Sequence, residues 1–338
     1  MKMFKKALAV SLSLLLAVSL AGCGTQAATK TAEGAKEAPK VEYPAKAVLV
    51  LHGFKPGGGS DQLAQLTQPF LEKVLGQKFV NVYKEGADGA IAWKEIANTK
   101  GDGYLLGTLM TPKTQLNTMI NKDSGYKMED FVPIANMVYD PGIFIVPTDS
   151  QFKTMKDVLE YAKQNPNKLK VGNSGTGGNG WYNGMMIQKL SGTTWNNIPH
   201  QGDGPLVTAV AGGHVEGATT NVASASAMVK GGKVRALAVY TDKRLESLPD
   251  VPTLKEIGVD FSTGSYRGYL APKGTPKEIV DIFANGLEKV ANDPAFKKAC
   301  DDTNISVNFM KGDDYKKFLD NEWANLSKVV EEQGLKGK

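Results

Sequence analysis

Residues 48–61 read VLVLHGFKPGGGSD, an apolar strand that runs into a His-Gly-Phe turn and then into three consecutive glycines. A stretch of this kind has two known uses. A strand that ends in a His-Gly turn can build the oxyanion hole of an α/β-hydrolase. A glycine loop between a strand and a helix can instead hold an anion on its free backbone N–H groups. Other parts of the sequence have to decide between the two.

The hydrolase interpretation requires a nucleophile elbow, G-x-S-x-G, followed along the chain by an acid and a histidine. No serine of the chain has glycines at both required positions, and the nearest match is GNSGT at 172–176. The two later histidines, His200 and His214, stand beside glycines in polar stretches without an evident partner. The sequence therefore disfavours a hydrolase, which stays as a remote alternative, and it predicts a structural role for His52.

Other chemistry finds no better support in the sequence. There is no Walker A motif, and the three histidines and two cysteines show no metal-ligand spacing. After the glycine run GTGGNG at 175–180, no acidic residue closes a likely second strand about twenty residues further on, as a dinucleotide site requires. We therefore expect no catalytic residues, no cofactor and no bound metal.

The N-terminus is typical of an exported protein. A basic start, MKMFKK, precedes the uncharged apolar run ALAVSLSLLLAVSLAG, which indicates a signal peptide over 1–22. The run ends in Leu-Ala-Gly-Cys and so resembles the lipobox of bacterial lipoproteins, which implies that Cys23 carries lipid and attaches the protein to the membrane. Residues 23–42 are rich in Ala, Thr, Lys and Glu, which predicts a disordered tether.

Charge and cysteine content narrow the class of partner. Without Lys2, Lys5 and Lys6, the chain has 37 basic and 35 acidic residues, a near balance that gives no reason to expect nucleic acid. With Cys23 lipidated, Cys300 cannot form an internal disulfide and is predicted to be a small buried side chain in a helix. No later apolar run is long enough to span a membrane.

From residue 43 onward, strand and helix patterns alternate, which favours an α/β architecture with mostly parallel sheets. A second strand, glycine loop and helix unit follows at KLKVGNSGTGGNGWYNGMMIQKLSG, residues 168–192. The final third reads as helical, with Pro276 and Pro294 as helix starters.

Two short apolar stretches that end near proline, at 142–150 and 266–274, are predicted to cross between two lobes. Lobe 1 would then comprise 43–145 plus 267–338, and lobe 2 would comprise 146–266. Hinges near 142–148 and 264–272 would open and close a cleft, which is a usual place for a ligand.

The two glycine loops support an anion site in that cleft. In PGGGSD, Ser60 or Asp61 is placed to cap the helix that follows, and in GNSGTGGNG, Ser174 and Thr176 add hydroxyl donors. Because helix N-termini favour anions, two such loops facing each other would bind a carboxylate or a phosphate. The alternative is that both loops are ordinary tight turns between a strand and a helix.

A series of motifs now adds a resemblance to a known family. In order, the chain contains FKPGGGSDQLAQ, EGADGAIAW, GDGYLL, DFVPIANM, NSGTGG, HQGDGPLVTAVAGGHVE, LPDVPTLKEIG and YRGYLAPKGTP. Together these motifs resemble the substrate-binding proteins of tripartite tricarboxylate transporters, the Bug family. The match covers essentially all of 43–338.

The resemblance implies an extracytoplasmic solute receptor with a two-lobed α/β fold of the type II, Venus-flytrap periplasmic-binding-protein class and two hinge strands. Such receptors are not enzymes. They bind mostly small carboxylates at loops matching 54–61, 86–89 and 174–179 and deliver them to a two-component membrane permease. We also expect a monomer. The candidate ligand-binding residues are Phe54, Lys55, Gly57, Gly58, Gly59, Ser60, Asp61, Gly86, Ala87, Asp88, Ser174, Gly175, Thr176, Asn179, His200, Gly202, Asn221 and Tyr266.

The chain departs from the family pattern at several of these positions. In the family, this loop often has a proline and an aromatic residue before the glycines, whereas here Phe54 is followed by Lys55. Lys55 is either a solvated lysine or an extra cation for the ligand. Asp88 would repel an anion if it faced the cleft, which favours a solvent-facing side chain or a ligand that carries a donor. His200 and Asn221 replace a frequent tyrosine and a frequent acid.

The hinge return strand leaves two further points open. Arg267, beside Tyr266, is expected to be a surface residue. An alternative ligand class is an uncharged or aromatic solute, which Trp181, Tyr182 and Tyr266 would stack against.

Overall fold

The computed structural model describes residues 43–337, in which ten strands and ten α-helices alternate over most of the length. The strands are β1 (Val48–His52), β2 (Phe79–Tyr83), β3 (Leu105–Thr111), β4 (Phe131–Pro147), β5 (Lys170–Asn173), β6 (Asn196–Pro199), β7 (Gly217–Asn221), β8 (Val234–Val239), β9 (Gly264–Pro272) and β10 (Ser306–Lys311). The helices are α1 (Gly59–Leu75), α2 (Ala90–Ala97), α3 (Lys113–Ile120), α4 (Met155–Gln164), α5 (Asn179–Ser191), α6 (Asp203–Ala211), α7 (Val222–Lys230), α8 (Lys277–Asn292), α9 (Pro294–Asp302) and α10 (Gly312–Glu332).

Local sequence signals account for several helix ends. Helix α1 stops at Gly76, whose φ of 71° is left-handed and therefore favours glycine. Thr154 caps α4 and forms a reciprocal capping box with Asp157. Pro294 occupies the first turn of α9, where its missing N–H has no helical partner to lose.

The strands form one continuous sheet path in the order β2-β1-β3-β9-β4-β7-β5-β6, with β8 and β10 also paired to β4. Four pairings are parallel, β1 with β2 and β3, and β5 with β6 and β7. Five are antiparallel, and all of these involve β4 or β9. The expectation of mostly parallel sheets is therefore wrong, because the two long strands in the middle run against their neighbours.

Strand β4 changes partners along its length. Residues 131–141 pair with β9, whereas residues 142–147 pair with β7 and β8. Separate apolar clusters lie on the two parts: Val50, Leu71 and Phe283 belong to one, and Phe144 and Trp195 to another. The predicted lobe boundaries at 145/146 and 266/267 stay a prediction.

Two strands differ from the sequence-based expectation. Strand β4 begins at Phe131, well before the predicted crossing strand at 142, and the C-terminal third contains β10 in addition to its helices. In β10, Ser306 is exposed and the other five residues are half-buried. The strand therefore lacks the alternation of buried and exposed residues that would predict it.

The expectation for Cys300 is confirmed, because it is fully buried in α9. Within 43–337, no helix is both long and apolar enough to cross a bilayer. The predicted signal peptide, the lipidated Cys23 and the tether lie outside the described residues.

Candidate functional site

A cavity of about 70 Å³ lies where the first glycine loop, the second glycine loop and strand β9 meet. From the first loop it is lined by Phe54, Gly58 and Gly59, and from the second by Ser174, Gly178 and Asn179. Gly202 and Asn221 complete the set of predicted residues at this cavity. The structure thus brings the two glycine loops together around one small space.

Five helices begin at this cavity, and in four of them, α1, α5, α6 and α7, the residue before the helix also lines it. The residues that precede α1, α5, α6 and α7 are Gly58, Gly178, Gly202 and Asn221, and none of their side chains caps the helix with a hydrogen bond. The first turn of a helix has N–H groups without an intrahelical acceptor, and the helix dipole favours negative charge there. At α7 one of these groups, the N–H of Ala223, already donates to Asp140. The first-turn N–H groups of the four helices together make the cavity favourable for an anion.

The first glycine loop is held in shape by Asp61. Its carboxylate accepts hydrogen bonds from the Gly57 N–H at 2.7 Å, from Gln65 Nε2 at 2.7 Å and from the Tyr83 hydroxyl at 2.5 Å. The Asp61 side chain therefore holds the loop in its conformation without lining either cavity. The prediction that Ser60 or Asp61 caps α1 is wrong, because Gly58 has the extended N-cap conformation and both residues already lie within the helix.

A second, smaller cavity of about 40 Å³ adjoins the first and shares Phe54, Ser174 and Gly202 with it. Lys55 and Asp88 both line this second cavity. The Lys55 side chain is 69% exposed, with Nζ 3.7 Å from Glu85. Such an exposed pair contributes little to stability, so the Lys55 amine remains available to solvent and to a bound molecule.

Lys113 is a residue of the main cavity that the sequence analysis missed. It begins α3 and is almost fully buried. Its Nζ donates to Asp88 Oδ1 at 3.1 Å and to the Thr176 carbonyl at 2.9 Å. Burial lowers the pKa of this amine, and Asp88 opposes the shift. The only available signal was a lysine three residues after the apolar strand YLLGTLM, and that pattern alone does not reveal burial.

Arg267 was expected at the surface, and that expectation is wrong. The residue is 1% exposed and lines the main cavity. It forms a buried ion pair with Asp140 and donates to Gln62 Oε1 at 3.0 Å. The alternation of side chains along β9 was the missed signal. Ser265 and Arg267 line the cavity, so the side chain of the residue between them belongs to the opposite face of the strand.

That intervening residue is Tyr266, a predicted ligand contact. Its ring packs on Tyr139 and Phe318, with ring centroids 4.8 and 4.5 Å away, and it lines neither cavity. Trp181 and Tyr182, the other proposed stacking surfaces, also line neither cavity, and Tyr182 packs near Phe261.

The remaining predicted residues divide between the cavities and their surroundings. Gly86 lines the second cavity, where it adopts a φ of 125° that side chains rarely allow. His200 lies outside both cavities, with Nδ1 3.0 Å from the Ile198 carbonyl. Those that line neither cavity are Gly57, Ser60, Asp61, Ala87, Gly175, Thr176, His200 and Tyr266.

His52, at the end of β1, has the structural role that the sequence predicted. It is fully buried, its Nε2 lies 2.9 Å from Asn81 Oδ1, and its ring stacks on Tyr83. Burial lowers its pKa, which favours a neutral ring. Across residues 43–337, no group of three or more His, Cys, Asp or Glu side chains is placed to hold a metal ion.

Comparison with known proteins decides the family. The model of the tripartite tricarboxylate transporter family receptor matches residues 63–335, most of the chain. The chain belongs to this family. The receptor resemblance seen in the sequence is therefore confirmed, and because this is a family of binding proteins, the protein is a receptor and not an enzyme.

Individual relatives of this receptor align with most of its length, and those with solved structures share its fold. Protein BugT of Bordetella pertussis is 26% identical over 299 residues, which are 88% of this chain and 92% of BugT. The periplasmic binding protein BugD superposes with a TM-score of 0.80 at 28% identity, over 87% of this chain and 99% of BugD. Protein Rpa4515 of R. palustris, solved with adipate, gives a TM-score of 0.82 at 26% identity, over 86% of this chain and 98% of its own. The receptor thus has the mixed α/β fold of periplasmic binding proteins.

Proposed function

We propose that this receptor captures a small organic carboxylate, a dicarboxylate or tricarboxylate, and delivers it to a two-component membrane permease. The observation that carries the proposal is the convergence of four helix N-termini on one cavity that also contains Lys113 and Arg267. Backbone N–H groups and cations at such a site stabilise an oxyanion. The adipate bound by the relative Rpa4515 belongs to the same ligand class.

The remaining parts of the proposal concern location and movement. The receptor works outside the cytoplasm, attached through lipid on Cys23 to the outer face of the cell membrane, with 23–42 as tether. Its two lobes, 43–145 plus 267–338 and 146–266, close on the ligand. Strand β4 supports this division, because its N-terminal part pairs with β9 and its C-terminal part with β7 and β8.

A ligand panel tests the proposal. The melting temperature of the purified protein is measured with succinate, malate, adipate, citrate and inorganic phosphate, each at millimolar concentration. A ligand at 100 times its Kd stabilises the folded state by about 2.7 kcal/mol, which raises the melting temperature by about 4 °C for a chain of this size. The diamides of the same acids are the matched controls and are expected to give no shift. Equal shifts with acids and diamides, or none with any acid, would refute the carboxylate class.

A further inference from the structure

Arg267 occupies an unusual position for a charged residue. Its guanidinium lies against the first turn of α1, so close that a Cβ on Gly59 would come within 2.8 Å of its Cζ. Gly59 and Arg267 both line the main cavity. The absence of a side chain at Gly59 is therefore what allows the guanidinium to reach the wall of the cavity.

The hydrogen bonds of the guanidinium are incomplete. Its Nη1 donates to Gln62 and its Nη2 to Asp140. The Nε–H, however, is buried and has no hydrogen-bond partner among residues 43–337. Buried polar groups are nearly always paired, and an unpaired charged donor lowers stability. An acceptor oxygen from a molecule in the cavity would supply the missing partner.

The two existing partners fix the orientation of the guanidinium. Asp140 is fully buried and also accepts a hydrogen bond at 3.0 Å from the N–H of Ala223, in the first turn of α7. It is therefore held from two sides, and Gln62 holds the other nitrogen from α1. A planar guanidinium restrained in this way presents its third edge in one direction, which a lysine could not do.

The other charged side chains of the main cavity already have hydrogen-bond partners. Lys113 is already bonded to Asp88 and to the Thr176 carbonyl, and Asp203, a carboxylate of the cavity wall, accepts from the Thr220 hydroxyl at 2.8 Å. Arg267 is thus the cation of the cavity with a buried donor left without an acceptor.

We infer that Arg267 binds the ligand directly, donating its Nε–H to a carboxylate oxygen, while Asp140 and Gln62 position the guanidinium. This inference rests on the proposed function and makes it more specific. Recognition uses a charged side chain in addition to backbone N–H groups, so the receptor selects an ionised carboxylate over its amide or ester at this end of the ligand.

The test measures Kd by calorimetry on the full-length chain, kept in mild detergent, with succinate, malate, adipate and citrate. For whichever of these binds best, Arg267→Lys is expected to weaken binding at least 30-fold. The matched control is Arg235→Lys on β8, an arginine that donates to the carbonyls of Thr148 and Phe152 in the other part of the sheet. Its affinity is expected to stay within threefold of the wild type.

A double variant separates ligand binding from stabilisation of Asp140. Removing the arginine alone leaves a buried carboxylate unpaired, which disturbs the site by itself. Arg267→Met combined with Asp140→Asn removes both charges. The double variant is expected to stay at least 30-fold weaker than the wild type and to discriminate less between the acid and its monoamide. Recovery of wild-type affinity and selectivity would overturn the inference and make Arg267 only a partner of Asp140.

Two further outcomes are distinguishable. If the wild type binds none of the four acids, the proposed function and this inference both fail. If it binds one and Arg267→Lys binds equally well, the function stands and the inference fails. Should the arginine variants not fold, Gly59→Ala displaces the guanidinium without removing its charge and is expected to weaken binding at least tenfold; unchanged binding would refute a direct contact.

Discussion

Asp61 offers a test of how the first glycine loop keeps its shape. Its carboxylate is 1% exposed and joins three groups: the Gly57 N–H of the loop, Gln65 on α1 and the Tyr83 hydroxyl on β2. A hydrogen bond to a charged group contributes about 1.5–3 kcal/mol, and less where the partner is exposed, as Gln65 is. We therefore expect Asp61→Ala to lower the free energy of unfolding by about 2–4 kcal/mol. The corresponding fall in melting temperature is about 3–6 °C.

Asp61→Asn is the matched variant, since it keeps the shape and removes the charge. Its amide can donate to the tyrosine oxygen while its carbonyl accepts from Gly57, so the loss is expected to be about 1 kcal/mol. Urea unfolding followed by circular dichroism measures both variants, with Asp281→Ala, which breaks an exposed pair with Lys277 on α8, as a surface control. If Asp61→Ala unfolds at the same urea concentration as the control, the carboxylate does not hold the loop.

Three further perturbations have distinct expected outcomes. Gly180→Ala places a Cβ 2.3 Å from the Thr219 carbonyl oxygen and should lower the free energy of unfolding by about 1–3 kcal/mol in urea titrations, whereas Gly204→Ala meets open space and should raise it by up to about 1 kcal/mol. Lys113→Met removes a buried cation of the cavity and should weaken carboxylate binding at least tenfold by calorimetry; unchanged affinity would exclude Lys113 from recognition. Burial raises the pKa of the Asp140 carboxyl from 3.8 to about 6, although Arg267 opposes the shift. The contribution of this raised pKa to the free energy of unfolding is therefore complete below pH 3.8 and is lost as the pH rises through 6. The difference in unfolding free energy between wild type and Asp140→Asn should therefore change over that range, and a constant difference would contradict the shifted pKa.

The sequence predicted local elements well because their signals are local. The strand at 48–52, the left-handed stop at Gly76 and the proline at the start of α9 each follow from a few neighbouring residues. The direction of strand pairing along β4 does not follow from neighbouring residues. It depends on β7, β8, β9 and β10, which lie far along the chain. This is why the proportion of antiparallel pairing and the strand β10 were missed.

For the candidate site, the glycine loops and the exposed Lys55 could be found, and the two buried cations could not. Gly58 and Gly59 are recognisable because a strand, a glycine run and a helix follow one another in the sequence, whereas Gly202 came from the family motifs. Arg267 and Lys113 are ordinary residues in ordinary positions, and only the folded chain shows that they are buried at the same cavity as those loops. Long-range placement therefore decides which charges the site contains.

The position of Asp88 shows how such placement changes an argument made from the sequence. A carboxylate near the cleft was expected to repel an anionic ligand unless it faced solvent. Its side chain is instead 40% exposed and paired with Lys113, which also bonds the Thr176 carbonyl of the second glycine loop. The negative charge is thus balanced by a cation that joins the segment around Asp88 to the second glycine loop. Asp88 and Lys113 therefore act as a pair, and the repulsion expected from Asp88 alone is largely offset at the cavity wall.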